Sequence, residues 1–192
     1  MRAPVRIIGT GLLGASLGLR LRQLGVPVQL EDMSLAAQAL ARDLGAGEIA
    51  GPDDPEPGLV VVATPPDVAS RVVVSALERY PNAWVTDVAS VKQRVVDEVD
   101  ASPMSDRYVG SHPMAGRERS GAIAADADLF AGRPWVITAG ARTRPELVQA
   151  MQQLALDAGS LPIIMEPAQH DRSVALVSHM PQLVSSLVAG VL

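Results

Sequence analysis

The sequence predicts an α/β fold, a doubly wound and mainly parallel sheet followed by the start of an all-helical second domain. Three observations predict it. Short apolar runs alternate with amphipathic segments from Val5 to about Met165. The first of these runs leads straight into Gly9-Thr-Gly11-Leu12-Leu13-Gly14. From Pro167 the alternation stops, and Ala168 to Leu192 reads as one long apolar helix or a pair of helices, with Pro181 as kink or boundary. We therefore divide the chain into residues 1–166 and 167–192, and expect the second, helical part to be cut short at Leu192.

The elements follow in order. Val5 to Ile8 is a strand, and the segment from Ala15 to about Leu24 is an amphipathic helix closed by Gly25. Val26 to Leu30 is a second strand with Glu31-Asp32 at its end. Strand, glycines, helix, strand and acid form the dinucleotide-binding fingerprint of a Rossmann-type sheet. Gly9 allows a tight turn, Gly11 lets the backbone approach a pyrophosphate, and Gly14 lets the helix pack closely on the sheet. Leu12 and Leu13 lie between these glycines, in the turn leading to the helix, whose N-terminal N–H groups face the phosphates. Asp32 lies 18 residues past Gly14, close to the spacing for a carboxylate that accepts from ribose hydroxyls. A carboxylate there repels a 2′-phosphate, so the sequence favours NAD over NADP.

Ser34 is placed to cap a helix reaching about Leu44. Gly45 to Gly58 is rich in Gly and Pro and reads as loop. Leu59 to Ala63 is a strand buried on both faces, stopped by Thr64-Pro65-Pro66, with Asp67 placed to cap a helix to about Tyr80. Trp84 to Asp87 is a strand, and Ser90 can cap the helix after it. Tyr108 to Gly110 ends another strand, followed by Ser111, His112 and then Pro113, which we expect to stop the ladder. An imidazole is thereby held at a strand's carboxyl end, where open α/β sheets bind ligands. After a Gly- and Ala-rich loop come a strand from Pro134 to Thr138, a helix from Pro145 to about Ala158, and a last strand from Leu161 to Met165.

Composition narrows the function. Hydrophobic residues make up 48% and aromatics only 3%, so a core forms from Val, Leu, Ile and Ala. The net charge of −5 argues against a nucleic-acid partner. With no cysteine there are no disulfides, thiolate metal sites or Cys nucleophile. His170 and His179 are nine residues apart, on opposite faces of a straight helix, so no two-His metal site is expected. The start of the chain has no secretory apolar region, and no run reaches the roughly 18–20 apolar residues of a membrane span. A cytoplasmic protein with no membrane partner is expected.

Six motifs, in order along the chain, carry a family resemblance: Gly9-x-Gly-x-x-Gly14, Ala63-Thr-Pro-Pro66, Thr86-Asp-Val-Ala-Ser-Val-Lys92, Gly110-Ser-His-Pro-Met-Ala-Gly116, His170-Asp171 and Val177-Ser-His-Met-Pro181. With them the chain resembles the prephenate/arogenate dehydrogenases of tyrosine biosynthesis. The resemblance implies oxidation of a cyclohexadienol at C4, with hydride passing to NAD⁺ and loss of CO₂. The product is 4-hydroxyphenylpyruvate from prephenate, or tyrosine from arogenate. It implies His112 as the group that takes the C4 hydroxyl proton, and Ser90 as its neighbour at substrate and cofactor. The plain alternatives are a structural strand-end histidine and a helix cap. Thr64 and Pro65 are implied at the nicotinamide side. Ser111, Glu118, His179 and Gln182 are implied at the substrate. Relatives carry His where this chain has Gln182, which leaves the choice of prephenate or arogenate open. Lys92 is either a motif residue or a solvated helix-start lysine. A homodimer through the C-terminal helical region, and a substrate-carboxylate Arg beyond Leu192, are also implied.

Two rival readings stand beside this one. Another Rossmann dehydrogenase, such as a 3-hydroxyacid dehydrogenase or an imine reductase, would keep the hydride chemistry. The hydroxyacid version calls for a catalytic Lys on the helical domain, yet Lys92 is the one lysine here and precedes it. A module that senses NAD without turnover is the other.

Overall fold

The computed structural model describes residues 3–176. In chain order these form Val5–Ile8 (β1), Leu12–Gln23 (α1), Val28–Glu31 (β2), Leu35–Asp43 (α2), Glu48–Ile49 (β3), Leu59–Val62 (β4) and Pro66–Arg79 (α3). Trp84–Asp87 (β5), Gln93–Asp100 (α4), Tyr108–Pro113 (β6), Pro134–Thr138 (β7), Pro145–Asp157 (α5), Leu161–Ile164 (β8) and Pro167–Val174 (α6) follow. The strands make one eight-stranded sheet in the order β3-β2-β1-β4-β5-β6-β7-β8. All pairings are parallel except β6 with β7, so the mainly parallel, doubly wound sheet is present. The strand order reverses between β1 and β4, which opens a crevice at their carboxyl ends.

Strand alternation divides the core into two layers. Val5 and Ile7 of β1 and Leu59 and Val61 of β4 pack with α1 residues Leu17 and Leu21 on one face. Val60 and Val62 turn to the other face, against Val73 and Leu77 of α3 and Val95, Val96 and Val99 of α4. Burial of β4 on both faces is why its sequence is continuously apolar.

Four expectations change. The Gly45–Gly58 loop holds the two-residue strand β3, paired with β2, too short to carry a periodic signal. Strand β6 does not stop before Pro113 but runs through it, pairing antiparallel with β7. Met114 N–H bonds to the Pro134 carbonyl at 2.8 Å, so Pro113 opposite Trp135 falls at a non-hydrogen-bonded pair, where its missing N–H leaves no gap. Ser90 is not a cap: α4 starts three residues later, and Lys92 and Gln93 N–H donate to the Asp171 carboxylate at 2.8 and 3.0 Å. Asp67 lies in the first turn of α3, whose cap position is Pro65. Ser34 does cap α2, accepting from Ala37 N–H at 3.2 Å. His179, Gln182 and the apolar run to Leu192 lie outside the described residues.

Candidate active site

The glycines act by contact. A Cβ on Gly9 would sit 2.4 Å from the Ala63 carbonyl oxygen, and one on Gly14 would sit 1.9 Å from the Gly9 carbonyl oxygen. These positions close the β1–α1 turn against β4 and the sheet. Gly11 is different: nothing lies within 4 Å of its would-be Cβ. It is also the cap residue of α1 and provides no side-chain hydrogen bond to the helix. Bare helix-start N–H groups beside open space are what a pyrophosphate requires.

That open space is a cleft of about 1120 Å³. Its lining includes Gly9, Gly11, Leu12, Leu13, Asp32, Thr64 and Pro65, so all the cofactor-side residues named from the sequence except Gly14 face it. Gly14 lies one turn behind, in helix–sheet packing. Asp32 Oδ2 accepts from Thr10 N–H at 2.6 Å and Thr10 Oγ1 at 2.8 Å, and its Oδ1 accepts from Ser34 N–H at 2.8 Å. Of roughly four lone-pair positions on a carboxylate, one stays open toward a ribose hydroxyl. Thr64 Oγ1 is buried at the end of β4 with no hydrogen-bond partner, a polar atom left for a ligand. The residues present therefore fit a dinucleotide.

His112 sits at the far end of β6, 9% exposed. Its Nδ1 lies 2.9 Å from His170 Nε2, and His170 Nδ1 lies 2.7 Å from Asp171 Oδ1. The tautomers follow from the carboxylate. Asp171 only accepts, so His170 carries a proton on Nδ1, and with that as its one proton it accepts at Nε2. His112 must then donate from Nδ1, which leaves its Nε2 as a bare acceptor with no partner among the described residues. Burial, the neighbouring His170 and the Lys92 ammonium together lower the His112 pKa to about 3, so the ring is neutral at ordinary pH. Burial pushes the Asp171 pKa up, but hydrogen bonds from His170, Gln93 and Lys92 outweigh it and the net shift is downward.

The other implied residues separate. Ser90 is half-buried in the β5–α4 turn, and its hydroxyl makes no hydrogen bond among the described residues. Ser111 is corrected: its side chain is fully buried and its hydroxyl donates to the Asp87 carbonyl at 2.7 Å, so it braces the sheet instead of facing substrate. Glu118 is exposed in the loop after β6; Arg117 and Arg119 beside it line the cleft and Glu118 does not. Lys92 is not solvated: it is completely buried against Asp87. His170 is the residue the sequence undervalued. Its signal was the adjacent Asp171, but the partner His112 lies 58 residues away.

The sheet order, the glycine turn and the cleft at the switch point define a dinucleotide-binding domain of the Rossmann class. Residues 17–162 match the family described as prephenate dehydrogenase, nucleotide-binding domain. The chain belongs to that family. It is 38% identical over 191 residues to a Streptomyces niveus protein described as a probable prephenate dehydrogenase, NovF, covering 99% of this chain and 52% of that one. The prephenate dehydrogenase of Bacillus subtilis is 29% identical, with 97% and 53% covered. The chain thus spans about half the length of the curated relatives it matches. The Aquifex aeolicus prephenate dehydrogenase, solved with hydroxyphenyl propionate and NAD⁺, superposes with a TM-score of 0.89 at 27% identity, covering 98% of this chain and 68% of that one. The Synechocystis arogenate dehydrogenase gives 0.82 at 29% identity, covering 97% and 68%. Among the described residues no helix is long and apolar enough to cross a membrane, and no cluster of His, Cys, Asp and Glu could hold a metal ion.

Proposed function

We propose that this chain is the cofactor half of an NAD-dependent prephenate dehydrogenase, which oxidatively decarboxylates prephenate to 4-hydroxyphenylpyruvate. The observation that carries the reading is the Asp171–His170–His112 chain, because it leaves a neutral imidazole with a free Nε2 lone pair. That nitrogen accepts the C4 hydroxyl proton. As it does, the His112 Nδ1–H bond to His170 strengthens, and Asp171 steadies the charge through His170 Nδ1. Ser90, with an uncommitted hydroxyl, orients the substrate oxygen. Gly11 and the start of α1 hold the pyrophosphate, Asp32 a ribose hydroxyl, and Thr64 and Pro65 the nicotinamide side. The bound nicotinamide supplies the hydride acceptor, and aromatisation with loss of CO₂ drives the reaction.

Glu118, His179 and Gln182 remain the substrate-side residues of this reading, in a cytoplasmic homodimer joined through the C-terminal helical region. Arogenate is the second reading for the substrate, since Gln182 replaces a histidine in the segment implied to hold the substrate side chain. The test is NADH absorbance with prephenate and arogenate offered in parallel. Turnover with either substrate supports the chemistry and chooses between the two. Dinucleotide binding without turnover, in this chain and in a version matching the full length of its relatives, refutes it.

A further inference from the structure

The turn between β5 and α4 holds a buried ion pair that the chemistry above does not use. Asp87 and Lys92 are both fully excluded from solvent, and Lys92 Nζ contacts Asp87 Oδ2. A buried pair of this kind is a weak stabilising device, because apolar residues of similar volume often do as well. Its connections are more informative. Asp87 Oδ2 accepts from the Ala89 N–H at 3.0 Å, immediately before Ser90. Lys92 Nζ donates to the Ser111 carbonyl at 2.8 Å, immediately before His112. Ser111 Oγ donates to the Asp87 carbonyl at 2.7 Å, and Tyr108 OH donates to Asp87 Oδ1 at 2.7 Å. Ser90 and His112, on different segments, each follow a residue bonded to the same pair.

We propose that the Asp87–Lys92 pair is a positioning element for the reaction, setting Ser90 and His112 relative to one another. The proposal rests on the acid–base role given to His112. The charged and titratable groups acting on that ring are His170 and Asp171 from α6 and Lys92 before α4, and Lys92 is bonded in turn to Asp87, which accepts from Tyr108 OH. Among them the Lys92 ammonium disfavours an imidazolium and Asp171 favours one.

The experiment uses the full-length protein with Lys92→Met, with Asp87→Asn plus Lys92→Met, and with Tyr108→Phe. The double variant leaves no uncompensated buried charge, and Tyr108→Phe keeps volume while freeing one end of the carboxylate. In the double variant the expected result is an unfolding temperature within a few degrees of wild type and unchanged NADH affinity. Turnover falls at least tenfold in kcat with little change in KM, and the acid limb of the kcat/KM profile moves to higher pH. Tyr108→Phe lowers kcat severalfold. By NMR, the His112 ring titrates at higher pH in Lys92→Met and in the double variant than in wild type. A purely structural pair differs in turnover: Lys92→Met loses stability, and the double variant regains wild-type kcat together with its stability. Wild-type kcat in the double variant, or in Tyr108→Phe if the double variant does not fold, overturns the proposal. If wild type itself turns over no substrate, the proposed function fails, and the ring titration alone decides: an unchanged His112 titration overturns the positioning role.

Discussion

A histidine that is to take a proton from a neutral alcohol must be unprotonated beforehand, and His112 is held so by its surroundings. His112→Asn keeps a polar side chain but removes the base. Turnover should fall by roughly 10²–10⁴-fold, the usual contribution of a positioned acid–base group, while NADH affinity stays within twofold in a fluorescence titration. The same residue makes stability depend on pH. Its folded pKa of about 3 lies below the ordinary value of 6.5, so the unfolded chain takes up the proton first. Stability from this residue is intact above the unfolded value and is lost progressively as pH falls from 6.5 toward 3. Urea midpoints measured across that window should decline in wild type and decline less in His112→Asn. Asp171→Ala removes both a helix cap and the His170 partner. It should lower stability by about 0.5–2 kcal/mol through the cap and lower kcat as well, read from urea midpoints and steady-state rates. The sequence showed His112 plainly because strand end, His and Pro are adjacent. It could not show that His170 and Asp171 complete the chain, because that contact depends on where α6 docks.

Among the elements, the β1–α1 turn has the least tolerance. Gly14→Ala would drive a Cβ onto the Gly9 carbonyl oxygen, a backbone atom that cannot swing away. It should destabilise by more than the ~1–3 kcal/mol of ordinary overpacking, seen as a large fall in unfolding temperature. Gly11→Ala meets no protein atom, so it should leave the unfolding temperature nearly unchanged while weakening NADH binding. The contrast separates a glycine required by packing from one required by a ligand. Local signals marked these elements well: the Ser34 cap, the Pro-led start of α5, and the doubly buried β4 were all legible. The start of α4 was not. Its cap comes from Asp171, 79 residues after Lys92, and no window along the chain contains both. Lys92 was left undecided for the same reason: beside a helix start a lysine looks solvated, and its burial follows from β5, β6 and α4 meeting over it.

At the scale of the whole molecule, the cleft follows from strand order, and strand order follows from the alternation of apolar runs with helices. Dinucleotide selectivity belongs to this scale, because Asp32, just after β2, faces the cleft while tied to Thr10 after β1. NADH should bind more tightly than NADPH, and Asp32→Asn should narrow that ratio in a fluorescence titration. What decides prephenate or arogenate was not legible, since Gln182 and His179 follow the last described residue.

The carboxylate of Asp171 belongs to two structures at once: it closes the N-terminus of α4 and steadies His170 against His112. A molecule in which α6 has not docked therefore has both an open helix end and an unfinished proton acceptor. On the proposed reading, assembly and competence share one checkpoint: a chain whose α6 is undocked would also lack its complete proton acceptor.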